Sequence, residues 1–454
     1  MTRNDRHLTS EDLVTRIDAG SIDTVVVAFT DMQGRLQGKR LHAAYFRDHV
    51  LGHGTEGCNY LLGVDVDMNT VEGYAITSWE RGYGDMEFVL DLDTIRLLPH
   101  LPATALIQCD LAWPDGSPVV QSPRSILQAQ IDKAAERGWK AVAGTELEFI
   151  AFEDTYEQAF TSGYTGLTPV NQYNVDYSIA GTTRVEPLLR AIRNAMYDAG
   201  MDVESAKGEC NFGQHEIGFL FADVLETADN HAVYKTAAKE IAAQHGQSLT
   251  FMAKYDEREG NSCHIHLSLR GLDDEIVFWD DDAQGRTALY SSFVAGILDG
   301  LADFTLLYAP NVNSYKRFAD GSFAPTAIAW GEDNRTCAVR LVGHGAGARM
   351  ENRVPGGDVN PYLAIAAMLA CGLDGIERGL ELEPPTEGNA YTSGKPTVPR
   401  TLRAAREAFA TSELARRTLG DEVVDHYTNM ADVELKAFEA TVTDWERRRS
   451  FERM

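Results

Sequence analysis

Residues 141–152 read Ala-Val-Ala-Gly-Thr-Glu-Leu-Glu-Phe-Ile-Ala-Phe, an apolar run interrupted by two carboxylates, Glu146 and Glu148. The composition is that of a buried strand, and side chains two apart on a strand share one face. Two carboxylates on one face of such a strand need cations beside them, because a buried unpaired charge costs several kcal/mol. Working outward, Ser122-Pro123 reads as an N-cap followed by a first-turn proline, and the helix it opens stops at Gly138. Downstream, helices over 185–198 and 228–245 alternate with a strand and turn over 203–221 and strands over 248–254 and 263–269. Two further helical segments, 288–307 and 360–380, flank a loop-rich stretch over 309–355.

The first hundred residues differ. A β-branched run over 23–30 ends at the turn Asp31-Met32-Gln33-Gly34 and returns over 36–40, followed by glycine-rich connections and strands over 87–90 and 104–110. Trp113-Pro114-Asp115-Gly116 then reads as a junction, dividing the chain into a small β module (1–112) and a larger unit (113–454).

Composition narrows the function. The 454 residues carry 41 Lys plus Arg against 68 Asp plus Glu, a net charge of −27. A nucleic-acid or anionic-membrane binder needs the opposite sign at least locally. The one basic cluster, Arg447, Arg448 and Arg449, closes an acidic/basic stretch and reads as a solvated helix face. No apolar run suffices to span a bilayer, and the polar N-terminal residues have no signal-peptide pattern. Six cysteines (58, 109, 210, 263, 337 and 371) form no C-x-x-C pair and read as reduced thiols. The expectation is a cytoplasmic protein with no nucleic-acid or membrane partner.

Four constellations carry chemistry. Besides Glu146 and Glu148, Glu209 and Glu216 bracket a turn, His264 and His266 share a strand face, and Arg349, Glu351 and Arg353 alternate with Met350 and Asn352. Taken singly, each reads as an ordinary solvated edge or ion-pair ladder. Together, five glutamates and a histidine suit Mg²⁺ or Mn²⁺ better than zinc. Arginines beside such metals point to an anionic substrate, and metals with arginine clamps suit phosphoryl transfer. The glycine-rich Gly343-His-Gly-Ala-Gly347 lacks the strand–turn–helix frame and the lysine of a phosphate loop, and is not read as one.

The ordered segments Thr145-Glu-Leu-Glu-Phe149, Gly208-Glu-Cys-Asn-Phe-Gly-Gln-His-Glu216, Gly260-Asn-Ser-Cys-His-Ile-His-Leu-Ser268, Asn313-Ser-Tyr-Lys-Arg317, Asn334-Arg335 through Arg340, and Arg349-Met-Glu-Asn-Arg353 with Asn360-Pro-Tyr-Leu363 resemble the type I glutamine synthetase family over essentially the whole chain. The resemblance implies an α+β fold: a small β-grasp N-terminal domain and a large catalytic domain on a curved antiparallel sheet. It also implies a homo-oligomer, a dodecamer of two hexameric rings with active sites shared between neighbours. By motif, Glu148, Glu209 and Glu216 would hold one metal, and Glu146, His264 and Glu351 another, for two or three Mg²⁺ or Mn²⁺ in all. Gly260, Arg317 and Arg353 would bind L-glutamate, and Arg335, Arg340 and Arg349 would face the transferring phosphate. Glu204, Phe221, His266 and Ser268 would line the ATP site. ATP would convert the glutamate γ-carboxylate to γ-glutamyl phosphate, which an amine attacks.

The departures from that pattern bear on the amine. In ammonia-using members the flap after the Lys-Arg segment carries a glutamate; here Phe323 stands in that place. The N-terminal Asp-Gly-Ser-Ser segment that helps bind ammonium is absent, and only Asp85 resembles the second ammonium-site aspartate. Glu259 replaces a glutamate-binding asparagine. Losing carboxylates and gaining an aromatic suits a larger amine, and resembles the γ-glutamyl-amide branch: glutamate–putrescine or polyamine ligases and γ-glutamylethanolamide synthetases. Phe323 would pack on the amine's carbon atoms while Asp85 orients its nitrogen or takes its proton. Asp65, Asp67, Glu72 and Glu87 are either a second anchor for a diamine or plain surface acids, so ethanolamine and putrescine both stay open. Tyr391 lies near the position of a regulatory adenylylated tyrosine in some relatives, but its surroundings do not match, and no adenylylation is expected. The competing readings are an ammonia-using glutamine synthetase, a non-catalytic family member, and a metal hydrolase built on His264 and His266; the last leaves the glutamate pairs and arginines unexplained.

Overall fold

The turn at Asp31-Met32-Gln33-Gly34 forms as its residues dictate. The Asp31 carboxylate accepts from the backbone N–H groups of Gln33 and Arg35 at 3.0 and 2.9 Å, and Gly34 takes a left-handed φ of +78°. It joins β1 (Thr24–Thr30) to β2 (Leu36–His42) in a computed structural model that describes residues 7–319 and 321–454. With β3 (Thr55–Cys58), β4 (Asp85–Leu90), β5 (Arg96–Leu97) and β6 (Thr104–Ala112) these strands make a six-stranded sheet ordered β2-β1-β6-β4-β3, with β5 on β6. The pair β1–β6 is parallel and the other pairs are antiparallel.

The second sheet is built on β7 (Trp139–Phe152), the fourteen-residue strand that carries Glu146 and Glu148. It is joined by β8 (Val203–Gly208), β9 (Gln214–Phe219), β10 (Ala222–Asp223), β11 (Ser248–Thr250) and β12 (Cys263–Gly271). A detached hairpin, β13 (Trp279–Asp280) and β14 (Gly285–Arg286), precedes β15 (Trp330–Glu332), β16 (Val339–Val342) and β17 (Arg349–Asn352). The order is β15-β16-β17-β12-β7-β9-β8, with β10 and β11 also pairing with β7. The α+β class is as expected, with two differences. The stretch over 309–355 is not only loop, since it supplies three strands. The sheet is antiparallel throughout except at its edge, where β15 runs parallel to β16. Strands of three and four residues in a stretch with few apolar pairs leave little periodic signal, and their pairing partners are distant in sequence.

Helices cover the other side. Proline opens Pro123–Ala135, although Ser122 sits at the cap without a side-chain hydrogen bond. Helix Val224–Gln244 starts one turn earlier than its apolar pattern suggests, and the run over 288–307 breaks into Ala288–Gly300 and Thr305–Tyr308. Asn360 caps Pro361–Arg378, accepting from Tyr362 N–H at 3.2 Å, and that helix is buried nearly all round. Its approach to Ala288–Gly300 depends on glycine: a Cβ on Gly296 would lie 2.2 Å from the Cys371 carbonyl oxygen.

The two sheets share one hydrophobic core, which extends from Leu13 and Phe29 to Tyr362 and Tyr427. A buried ionic knot ties them. Arg124, 4% exposed at its side chain, bonds Asp91 and Asp110 of the small sheet's side and Asp229 of helix Val224–Gln244. Tyr362 Oη donates to the same Asp229 at 2.5 Å. Asn360 Nδ2 reaches the carbonyls of Asp31 and Met32 at 3.0 and 3.1 Å, so the turn of the first hairpin is fixed on the large unit. All six cysteines are free thiols. Among the described residues no helix is long and apolar enough to cross a membrane.

Candidate active site

Strand register assembles the chemistry. Glu148 on β7 lies opposite Glu216 on β9, and Glu216 lies opposite Lys207 on β8. On the other side of β7, Glu146 lies opposite His264 on β12; His266 then faces Glu351 on β17, and Glu351 faces Arg340 on β16. Since each is an alternate residue of its strand, one face of six adjacent strands presents four carboxylates, two imidazoles, a lysine and an arginine.

The carboxylates divide into two groups. Oxygens of Glu148, Glu209 and Glu216 lie within 4.8 Å of one another. Gln214 Nε2 and Ser262 N–H donate to Glu148 at 2.8 and 2.7 Å, and the Lys207 ammonium contacts Glu209 and stands 3.7 Å from Glu216. Burial pushes the Glu216 carboxyl up to about 8, with Glu146 and Glu148 adding to the rise and Lys207 opposing it. The second group joins Glu146, Glu351 and the histidines. His264 Nδ1 lies 3.2 Å from Glu146 and 3.5 Å from Glu351, and His266 Nε2 lies 2.9 Å from Glu146. Glu146, His266 and Glu351 offer ligand atoms within 4.8 Å of each other, so His266 stands beside His264 as a candidate ligand. Burial works against ionisation of Glu146, yet hydrogen bonds from both imidazoles hold it well below the usual carboxylate range.

Both groups fit divalent cations. The donors are hard oxygens with an imidazole, the buried His264 Nε2 has no hydrogen-bond partner, and a lysine ammonium already stands among the first carboxylates. The fully buried Glu351 is braced by Arg353 at 2.5 Å and Arg340 at 2.9 Å.

Two cavities meet here. The upper one, about 320 Å³, is lined by Glu204, Phe221, His266 and Ser268, the four residues expected at an ATP site, and by Arg349, expected at the transferring phosphate. Ala346, Gly347 and Ala348 also line it, so the glycine-rich loop set aside as a phosphate loop nonetheless walls this cavity. The lower one, about 250 Å³, is lined by Glu148, Glu209, Gly260, His264, Phe323, Arg335, Arg340 and Arg353. Glu146 and Glu216 line both.

Three expected site residues line neither cavity. Glu351 lies beneath, as described. Arg317 is buried, and its guanidinium donates to the carbonyls of Val354 and Arg353 at 2.8 and 3.2 Å and to Ser262 Oγ at 2.8 Å. It braces the backbone on which Arg353 and Gly260 sit. Gly260 is itself required by packing, since a Cβ there would meet the Ala253 carbonyl oxygen at 2.1 Å. Asp85, exposed at the start of β4, lines neither cavity of its own chain, nor do Asp65, Asp67, Glu72 and Glu87. Glu259, noted as a departure, does line the lower cavity. Sequence reading missed Lys207, Asp176 and Tyr177, which line it too. Lys207 was findable, for it precedes Glu209 by two; the loop residues Asp176 and Tyr177 carried no periodic signal.

Comparison with known proteins agrees with this geometry. Residues 120–450 match the glutamine synthetase catalytic-domain model. The chain is 63% identical to gamma-glutamylethanolamide synthetase GlnA4 of Streptomyces coelicolor, over 98% of this chain and 96% of that protein. It is 37% identical to a glutamate–isopropylamine ligase of Pseudomonas sp., over 95% of each. A solved GmaS/ADP complex superposes with a TM-score of 0.85 at 26% identity, covering 97% of this chain and 99% of that one. A register that gathers these carboxylates, imidazoles and arginines under two adjoining cavities, in a chain matched over most of its length, has one reading: the chain belongs to the glutamine synthetase family.

Proposed function

We propose that the protein ligates the γ-carboxylate of L-glutamate to a small organic primary amine, ethanolamine foremost, at the expense of ATP. Members of the family use ATP and divalent metal ions. The observation that carries the reading is the meeting of the two cavities at Glu146 and Glu216, which sets a nucleotide and an amino acid on either side of one carboxylate cluster. The 63% identity to a gamma-glutamylethanolamide synthetase favours ethanolamine over a diamine.

In this mechanism the nucleotide lies in the upper cavity against Phe221, with its γ-phosphate directed past Arg349 toward the lower one. Glutamate lies in the lower cavity, its charge met by Arg353. Divalent cations at the two carboxylate groups would offset the repulsion between carboxylate and phosphate and polarise the phosphoryl group. The γ-carboxylate oxygen attacks the γ-phosphorus, and ADP leaves. Arg335 and Arg340 face the charge that develops on the transferring oxygens, where fixed donors act without reorganisation. The amine nitrogen, after losing a proton, attacks the carbonyl carbon of γ-glutamyl phosphate, and inorganic phosphate leaves. We assign the proton-accepting or orienting carboxylate to Asp85 of a neighbouring copy in a ring assembly, since Asp85 lines neither cavity of its own chain. That assembly, two stacked hexamers, is part of the proposal.

The experiment is phosphate release with L-glutamate, ATP and Mg²⁺ across ammonium, ethanolamine, isopropylamine, putrescine and spermidine, with product masses determined. Ethanolamine is expected to give the highest turnover and γ-glutamylethanolamide as product. Highest turnover with ammonium would restore the ordinary glutamine synthetase reading, and no turnover with any amine would leave the non-catalytic one.

A second expectation concerns the metals. Glu216 is held protonated near neutrality, and a cation bound at Glu148, Glu209 and Glu216 requires its carboxylate form. Mn²⁺ binding should therefore release a proton and tighten as the pH rises toward about 8. Calorimetric titration in two buffers of different ionisation enthalpy reads this directly. A buffer-independent heat with pH-independent affinity would contradict it.

A further inference from the structure

A third cavity, about 270 Å³, lies between the small sheet and helix Val224–Gln244, and it shares no lining residue with the upper or lower cavity. Small residues open it. Ala28 of β1 pairs with Gly38 of β2, and Ala237 lines the cavity from the helix. Position 38 admits no side chain, since a Cβ there would lie 2.0 Å from the Val27 carbonyl oxygen. Val26, Leu36, Leu106 and Val233 complete an aliphatic wall. The volume is close to that of the smallest ligand pockets, about 300 Å³.

The charge in this cavity is confined to one cluster. One oxygen of Glu240 takes His100 Nε2 at 2.7 Å, and the other stands 3.5 Å from the Arg40 guanidinium. Lys39 and Gln37 belong to the lining, but they alternate with Gly38 and Arg40 along β2 and turn to its other face. There Lys39 Nζ meets Thr55 Oγ1 at 3.4 Å and Gln37 Nε2 meets Asp31 at 3.1 Å. The His100 side chain is 3% exposed, and its Nδ1 is buried without a hydrogen-bond partner. A carboxylate only accepts, so Nε2 carries the proton shared with Glu240, and in the neutral ring Nδ1 is left as a bare acceptor. A buried acceptor of this kind calls for a donor.

We propose that this cavity binds an α-amino acid with an aliphatic side chain. The ammonium group is met by the Glu240 carboxylate and His100 Nδ1, the carboxylate by Arg40, and the side chain lies over Ala28 and Gly38 against the aliphatic wall. One cation beside one anion matches a zwitterion better than an acid or an amine alone. L-Glutamate fits poorly, because its second carboxylate would be buried among aliphatic groups. The Arg40–Glu240 contact is long and Arg40 is exposed, so each partner exchanges a weak ion pair for a shorter bond to the ligand. The site is independent of the amine-ligase reading.

The test is calorimetric titration of the full chain with L-leucine, in the presence of saturating L-glutamate so that leucine is kept out of the lower cavity. Leucine is expected to bind with a Kd below about 1 mM. Across glycine, L-alanine and L-leucine, affinity should rise about fourfold per methylene buried. Leucinamide, which lacks the carboxylate, and 4-methylpentanoate, which lacks the ammonium, should each bind at least about tenfold more weakly than leucine. Glu240→Gln and Arg40→Gln change partly exposed side chains outside the catalytic cavities. Each should weaken leucine about tenfold while ligation stays within about twofold of wild type. No leucine heat at millimolar concentration overturns the proposal, as does a leucine affinity untouched by Glu240→Gln. Equal binding of 4-methylpentanoate overturns it too, because the ammonium would then not be recognised. Leucine binding that appears only without glutamate also overturns it, since leucine would then occupy the lower cavity.

Discussion

Glu351→Gln is expected to lower ligation by about a thousandfold or more while the chain remains folded. Glu351 is 0% exposed, and its two oxygens take Arg353 at 2.5 Å, Arg340 at 2.9 Å and His264 at 3.5 Å. Burial disfavours its charge, but His264 and Arg353 hold it below the usual carboxylate value, so it is ionised at neutral pH. Glutamine has nearly the same shape and no charge, and one of its terminal groups becomes a donor facing guanidinium donors. Three effects then combine. A candidate metal ligand is lost, and Arg353 and Arg340, the arginines proposed to meet glutamate and the transferring phosphate, both lose their anchor. Loss of one fixed charge-stabilising group costs about 10² to 10³ in rate, and here two arginines shift together. Breaking a buried ion pair also costs about 3–5 kcal/mol, so the melting temperature should fall. Phosphate release and thermal unfolding on the same preparation check both parts. Ligation within about tenfold of wild type would remove Glu351 from the catalytic centre.

The reason so much rests on Glu351 was only partly legible in the sequence. The alternation Arg349, Glu351, Arg353 places three charges on one strand face, as Glu146 and Glu148 do on β7, and strand geometry alone demands that. What faces them follows from register, which is not local. Nothing within residues 349–353 says that Glu351 will lie opposite His266 on one side and Arg340 on the other. The order of motifs along the chain supplied that link through family resemblance. Arg317 shows what such transfer leaves out. Motif assigns it to glutamate, and packing adds a bracing role that no motif shows, since three of its hydrogen bonds go to Ser262, Arg353 and Val354. Strands β15 and β16 escaped for a related reason: three or four residues carry too few alternations to register against a loop background. Tyr177 escaped altogether, because a loop tyrosine gains meaning only when the fold sets it at the lower cavity.

Phe323→Glu should reverse the amine preference, cutting kcat/KM for ethanolamine about a hundredfold and raising it for ammonium. The backbone carries little of this effect. Position 323 has a φ of +55°, which glutamate tolerates no better than phenylalanine, and the side chain is 56% exposed, so the fold is unmoved. What changes is the wall of the cavity. An aromatic surface that covers carbon is exchanged for a carboxylate in a space already lined by Glu146, Glu148, Glu209, Glu216 and Glu259. The added negative charge concentrates small cations and offers ammonium an acceptor for its proton, which are the two things ammonia use requires. For ethanolamine the same change removes apolar contact, and one apolar contact alone is worth about 10- to 200-fold in discrimination. The outcome is read as the ratio of the two kcat/KM values, which is insensitive to any loss of active protein. A ratio unchanged from wild type would show that the amine is chosen elsewhere in the cavity. If Phe323→Glu improved turnover with ammonium while ethanolamine was never a substrate, the flap would be an ammonia-using one with a compensated substitution. A fall confined to the organic amine instead makes Phe323 the residue that separates this chain from its ammonia-using relatives, by an apolar surface that covers carbon where a carboxylate would take a proton.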